Sequence, residues 1–233
     1  PRLDGKHNRQ KENPMIIDFE KILDTYLERE QKQKDIGRYY PSEIGNCLRK
    51  IWFSYKKPKE IDKETIKVFH VGNILHSFIS EVLKNDKSAQ VKLVEPEVPF
   101  RMSFGDNFTI SGRVDEVLVV IMNGQKIAIE VKSTKSLASI KEASLPHKMQ
   151  LQLYLHALRI KHGIVLYIEK HSLLIKQYDV EYDPLFVETI LDRFQILDAS
   201  LKANMIPEPE AKLDEKMKWM CRFCDYSEEC NGQ

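Results

Sequence analysis

Asp115, followed by the triplet Glu130-x-Lys132, is the first set of residues in this chain whose types and spacing could do chemistry. Glu130 and Lys132 stand two apart in a run rich in Val and Ile, so on a strand both side chains point to one face. Asp115 closes the segment Gly112-Arg113-Val114-Asp115 in the preceding apolar run. The Asn123-Gly124 pair between the runs is a strong hairpin signal. Such a hairpin brings Asp115 and Glu130 together. Crowded carboxylates repel unless a divalent cation lies between them, and their hard oxygens suit Mg²⁺ or Mn²⁺. Lys132 beside that cation could orient or help deprotonate an attacking water, or steady charge on a pentavalent phosphorus. Gln150 and Tyr154, four apart, share a helix face from which an amide and a phenol could hold the lysine or a DNA backbone. His76 could add an imidazole ligand.

A second constellation uses all four cysteines: Cys221-x-x-Cys224, then Cys230, with Cys47 far upstream. Four thiolates suit a structural zinc or an iron–sulfur cluster, and their even number leaves disulfide pairing open. The one-plus-three split differs from the paired Cys-x-x-Cys motifs of a zinc ribbon.

The elements that must position these residues follow from periodicity. Ile16 to Leu27 predicts an amphipathic helix after Pro14. Arg38 to Ser42 reads as a loop, with Ser42 the N-cap of a helix running through Cys47 and Trp52 to about Tyr55. A longer helix follows from Asp62 to about Lys84, with His76 at the border of its apolar stripe. Strands are expected over Val91 to Phe100, Phe108 to Met122 and Lys126 to Ser133, then a helix after Pro146 that ends before Gly163. Strands Ile164 to Glu169 and Leu173 to Tyr182, and a helix from Pro184 to about Ala203, complete a mixed α/β layered domain. The expected organisation is a mobile lead over 1–13, a helical region with the first cysteine over 14–61, a core over 62–205 and an irregular cysteine-bearing tail over 206–233.

Composition sets the outer bounds. Hydrophobic residues form 42% and charged residues 30% of the 233, a globular mixture, and the formal net charge of +1 excludes a globally basic wrapper of nucleic acid. Any DNA contact must come from a local patch. Candidates are Arg38, Tyr39, Tyr40, Arg49, Lys50, Lys56 and Lys57, interleaved with Trp52 and Phe53, together with Arg113 and Lys135. The alternative is that Trp52 and Phe53 pack the helix and the lysines form a solvated face. The longest apolar run, Val117 to Met122, falls far short of the roughly 20 residues of a membrane span, and the first residues lack the apolar core of a secretory signal. An intracellular, cytoplasmic protein is expected.

His76, Gly112-Arg113-Val114-Asp115, Glu130-Val131-Lys132 and Gln150-x-x-x-Tyr154 resemble, in order and approximate spacing, the motif series of RecB-type PD-(D/E)XK nucleases. The resemblance implies a restriction-endonuclease-like core, a mixed central sheet flanked by helices. It also implies metal ligation by His76, Asp115, Glu130 and the Val131 carbonyl, catalysis by Lys132, and support from Gln150 and Tyr154. The cysteine arrangement, with Tyr40 to Lys50 around Cys47, is similar to the iron–sulfur branch that holds AddB-like and CRISPR-associated Cas-four nucleases. That likeness implies a 4Fe–4S cluster on Cys47, Cys221, Cys224 and Cys230, tying the N-terminal helices to the tail, rather than zinc. The implied function is metal-dependent DNA cleavage, as an exonuclease on single strands or DNA ends. In a CRISPR setting it also implies partnership with the integrase complex. A viral or stand-alone relative, a homo-oligomer, and a catalytically silent DNA-binding or scaffolding module with the same fold and cluster are the other readings left open.

Overall fold

A computed structural model describes residues 17–28, 33–88, 91–120 and 123–232. The expected lead over 1–13, Ile16 and Met122 lie outside them. The central element is β3 (Phe108–Val120), which β2 (Val91–Phe104) pairs antiparallel along nearly its whole length. The other edge of β3 is shared. Its first residues, Thr109 and Ile110, pair parallel with the short β1 (Arg38–Tyr39), while Glu116 to Val119 pair antiparallel with β4 (Lys126–Thr134). The sheet continues through β5 (His162–Glu169), parallel to β4, and β6 (Ile175–Glu181), antiparallel to β5.

Helices cover both faces, which is why Ala128 to Val131 of β4 are buried in succession instead of alternating. On one face lies α4 (Lys63–Lys84), whose Leu75 and Ile79 meet Leu118, Ile129, Val131 and Ile168. Asp62 starts it by accepting the Thr65 N–H at 2.8 Å. Alongside α4 runs α1 (Phe19–Leu27), whose Asp24 takes Lys63 at 3.2 Å and Lys67 at 3.0 Å. On the other face α5 (Leu145–Leu158) packs Leu151, Tyr154 and Leu155 against Val117, Ala128 and Val165. Every residue from Met149 to Leu155 is buried, because α6 (Pro184–Lys202) covers the side of α5 away from the sheet.

The single helix expected from Ser42 to Tyr55 is two. After Tyr40 as N-cap, α2 (Pro41–Ile44) is followed by a break over Gly45 and Asn46, and α3 (Leu48–Lys56) starts with Cys47 as its N-cap. The break has a steric and a polar cause. A Cβ on Gly45 would sit 2.4 Å from Cα of Pro146, so α5 is seated directly on the backbone there. Arg193 of α6 then takes the Ile44 and Asn46 carbonyls at 3.2 and 2.9 Å. Arg38–Tyr39, expected as loop, is β1, and Trp52 and Phe53 lie in the core with Tyr39, Phe108 and Phe194. The tail contains short helices α7 (Glu210–Leu213) and α8 (Ser227–Asn231) and a 3-10 turn over Lys218–Phe223. Among the described residues no helix is long and apolar enough to cross a membrane.

Candidate active site

The candidate site opens where the β3–β4 ladder stops. Glu116 pairs with Ile129, and the next pair, Asp115 opposite Glu130, is not made, because the start of β3 turns instead to β1. Gly112 marks the turning stretch: a Cβ there would lie 3.0 Å from the Phe100 ring and 3.2 Å from Pro41, so a larger residue would push α2 off the strand. The Val131 N–H, left without a β3 carbonyl, donates to Asp115 Oδ2 at 2.7 Å. Asp115 Oδ1 lies 3.4 Å from Nδ1 of His76, which reaches the fork from α4.

Glu130 and Lys132 share the α5 face of β4, as the strand period requires. Lys132 Nζ stands 2.5 Å from Glu130 Oε1 and donates to Gln150 Oε1 at 3.1 Å, and Gln150 Nε2 donates to the Tyr154 hydroxyl at 2.7 Å. The structure thus gathers His76, Asp115, Glu130, Lys132, Gln150 and Tyr154 around one fork in the sheet.

The electrostatics of the fork are unbalanced. Glu130 is 1% exposed, and burial together with the neighbouring Asp115 charge pushes its carboxyl up to about 8, against the pull of Lys132. Burial disfavours charge on His76, but the Asp115 hydrogen bond and charge outweigh it and hold the imidazole above its usual value. Burial, with Glu130 next, raises the Tyr154 phenol well above the ordinary range.

Glu130 Oε2 is buried with no hydrogen-bond partner. A buried carboxylate oxygen left this way is costly unless a cation or proton meets it, so the donor set fits a hard divalent metal. Among the described residues, no three His, Cys, Asp or Glu side chains are gathered into a finished ion cage. Lys132 and His76 hold the two carboxylates in its stead.

Two polar groups at the fork escaped the sequence reading. Glu116, 1% exposed, takes Ser80 of α4 as partner, and burial raises its carboxyl. Its place between Asp115 and Val117 in an apolar run was the available signal. His147 of α5 is the other, and only the tertiary contact with Tyr167 of β5 exposes it.

The four cysteines line a separate cavity of about 100 Å³ between α3 and the tail, with Arg49, Lys50 and Lys212 on its rim. Burial raises the Cys224 thiol, and Lys50 works against that rise. The four thiols are soft donors, but among the described residues no three of them stand close enough to hold a metal ion. The loop that carries Cys47 is clamped independently of any thiolate-bound centre. Arg193 pairs with both Glu210 oxygens at 2.7 and 2.8 Å, and Glu210 Oε1 accepts the Leu48 N–H at 2.7 Å.

Of the proposed DNA contacts, Tyr39 is corrected. It is fully buried, and its hydroxyl donates to Asp198 at 2.7 Å, so no strand can reach it. The idea of stacking on Trp52 and Phe53 falls for the same reason: both pack the core. Arg49 donates to the Pro207 carbonyl, Lys50 pairs with Asp225 and Arg113 with Glu97. Arg38 lies over Tyr40, Lys57 over Phe53, Lys56 is half-buried and Lys135 exposed. None of these nine residues shares a hydrogen bond or ion pair with Glu130, Lys132 or Gln150 among the described residues.

The comparisons with known proteins agree with this fold. A model of the PD-(D/E)XK nuclease superfamily matches residues 9–231. The chain is 27% identical over 223 residues to the CRISPR-associated exonuclease Cas4 of Saccharolobus solfataricus, spanning 93% of this chain and 98% of that protein. The crystal structure of SSO0001 superposes with a TM-score of 0.58 at 24% identity, over 89% of this chain and 91% of that one. The alkaline exonuclease LHK-Exo of Laribacter hongkongensis does so with a TM-score of 0.51 at 11% identity, over 72% and 90%. Both share the fold described above. With a family model spanning nearly its whole length, the chain belongs to the PD-(D/E)XK nuclease superfamily.

Proposed function

We propose that this protein is a metal-dependent deoxyribonuclease that removes nucleotides from DNA ends or single strands. The observation that carries the reading is the fork itself. Two carboxylates meet where β3 and β4 part, and one of them has a buried, unpartnered oxygen beside a lysine. Asp115, Glu130, His76 and the Val131 carbonyl would hold Mg²⁺ or Mn²⁺. When bound, the cation supplies Lewis acidity toward a phosphoryl oxygen and acidifies a water.

Lys132 is held beside Glu130 by Gln150 Oε1, whose own amide is fixed by Tyr154. It can orient the attacking water and meet negative charge developing on phosphorus. The relative's description as an exonuclease supports action at ends, and its CRISPR association supports a role in spacer acquisition with an integrase complex in the cytoplasm. The cysteine cavity would hold a 4Fe–4S cluster through Cys47, Cys221, Cys224 and Cys230, as a staple between α3 and the tail.

The test is degradation of end-labelled single- and double-stranded DNA with Mg²⁺ or Mn²⁺, comparing wild type with Glu130→Ala and Lys132→Ala. Metal-dependent cleavage absent from both variants supports the nuclease, and the label pattern gives polarity. A folded, metal-supplied wild type without activity would sink the reading in favour of a silent DNA-binding module. Iron and acid-labile sulfide analysis decides the cluster: a colourless zinc protein removes it.

A further inference from the structure

We propose that His147 contacts the DNA substrate, presenting its Nε2–H to a non-bridging phosphate oxygen beside Lys132. The inference rests on the nuclease reading above. His147, Gln150 and Tyr154 are spaced i, i+3 and i+7, so one face of α5 carries all three toward the sheet face that bears Glu130 and Lys132. Tyr167, the strand neighbour opposite Lys132, brings its hydroxyl to 2.7 Å from His147 Nδ1.

The hydrogen-bond inventory settles the tautomer. The Tyr167 oxygen already accepts the Ser144 N–H at 3.0 Å, and the residue is 3% exposed. Its own proton has no acceptor among the described residues other than His147 Nδ1. A buried hydroxyl proton is rarely left unpaired, so Tyr167 donates, Nδ1 accepts, and the proton of the neutral ring sits on Nε2. Burial, with the Lys132 charge next, holds His147 down to about 3 and keeps the ring neutral.

Nε2 makes no hydrogen bond among the described residues, yet it is absent from the buried unpartnered atoms, so solvent reaches it. The result is an oriented neutral donor next to the site's lysine, with its other nitrogen locked by a buried tyrosine. Such a donor suits a phosphodiester oxygen, which a cation at Lys132 already attracts. It also avoids a second positive charge at that point.

The experiment is single-turnover cleavage of an end-labelled oligonucleotide in Mn²⁺ by wild type, His147→Phe, His147→Gln and the double variant His147→Phe with Tyr167→Phe. The double variant leaves no stranded tyrosine hydroxyl, at the cost of the acceptor for the Ser144 N–H. The expected result is a rate about 100-fold lower for both Phe variants with Mn²⁺ affinity at the wild-type value, although Tm should fall in both, because His147→Phe strands the Tyr167 hydroxyl proton and Tyr167→Phe strands the Ser144 N–H. His147→Gln, which restores an N–H, should recover about tenfold of that loss. A stereospecific phosphorothioate at the scissile position should slow wild type more than the double variant, a difference no merely structural role would produce. Wild-type rates in the double variant, equal rates for Phe and Gln, or rate loss tracking loss of Mn²⁺ binding would each overturn the assignment. An inactive wild type would overturn the nuclease reading and this one together, whereas an active wild type beside a full-rate double variant overturns only this one.

Discussion

The acidic fork and the cysteine cavity are assembled in opposite ways. At the fork, adjacent strands place their charges by ladder geometry, and the result is electrostatically unfinished, with Glu130 buried at 1% exposure and one oxygen unpaired. At the cavity, residues from both ends of the chain are brought together, and the backbone around Cys47 is already satisfied by Arg193 and Glu210. The fork therefore stores a local cost that a cation would relieve. The cavity has its scaffold in place before any centre binds. Function concentrates where polar groups are left unpaired, and stability where they are matched.

This contrast can be broken most directly at Glu130. Glu130→Ala is expected to lower cleavage by at least about 1,000-fold, with Lys132→Ala in the same range, as judged by single-turnover rates. Glu130→Ala should not lower the Tm of the metal-free protein, whereas Lys132→Ala, which strips the buried Glu130 of its partner, should lower it. Glu130→Gln should raise it. The sign follows from the direction of the shift: the folded carboxyl lies above its unfolded value of 4.5, so its contribution is full below that value and is lost as pH rises through about 8. The Tm advantage of Glu130→Gln over wild type should accordingly be larger at pH 9 than at pH 5, and a uniform or reversed difference would deny that the buried charge is a cost.

Next in size is the clamp. Arg193→Met removes four hydrogen bonds to charged or carbonyl partners, and urea unfolding should show a loss of about 2–3 kcal/mol. The fork should not feel it, so Mn²⁺ affinity, read by calorimetry, is expected to stay at the wild-type value. A fall in both would mean that the two regions are one cooperative unit.

A smaller effect tests the fork's proton inventory. Because Glu130, which titrates near 8, and His76, held above its usual value, must both shed a proton to accept a cation, Mn²⁺ affinity should climb more than about tenfold from pH 6 to pH 7, with uptake of metal releasing more than one proton. Calorimetry in buffers of different ionisation enthalpy checks this, and pH-independent affinity would remove Glu130 as the ligand that titrates.

The smallest expected change concerns Tyr39. Tyr39→Phe deletes a buried hydroxyl whose acceptor Asp198 keeps Lys202 at 2.7 Å, so the cost should be about 1 kcal/mol. DNA affinity should not move. A weakened binding isotherm with unchanged stability would return Tyr39 to the interface.

Much of the molecule was legible from residue order alone. The helical period marked α4 and α5, flanking prolines bounded α6, runs of β-prone residues marked β4 and β5, and Asn123-Gly124 marked the turn joining β3 to β4. Those local rules also put Glu130 and Lys132 on one face and Gln150 and Tyr154 on one side of a helix. They failed where packing overrode local preference. The break between α2 and α3 is imposed by Pro146 pressing on Gly45 and by the Arg193 guanidinium, which lies 149 residues from Ile44 in the chain. Likewise β1 is only two residues long, too short for any period, and exists because β3 has a free edge where it leaves β4.

Residue types and their spacing, then, determined which atoms could bind a hard cation or a soft cluster, because ligand chemistry and strand alternation are local properties. Only the tertiary structure decided that the β3–β4 ladder ends one pair before Asp115, that Glu130 is stripped of solvent, and that Tyr167 locks the His147 ring. Each of these depends on which distant surfaces are pressed together. Burial and hydrogen-bond competition are settled by neighbours in space, not by neighbours in the chain.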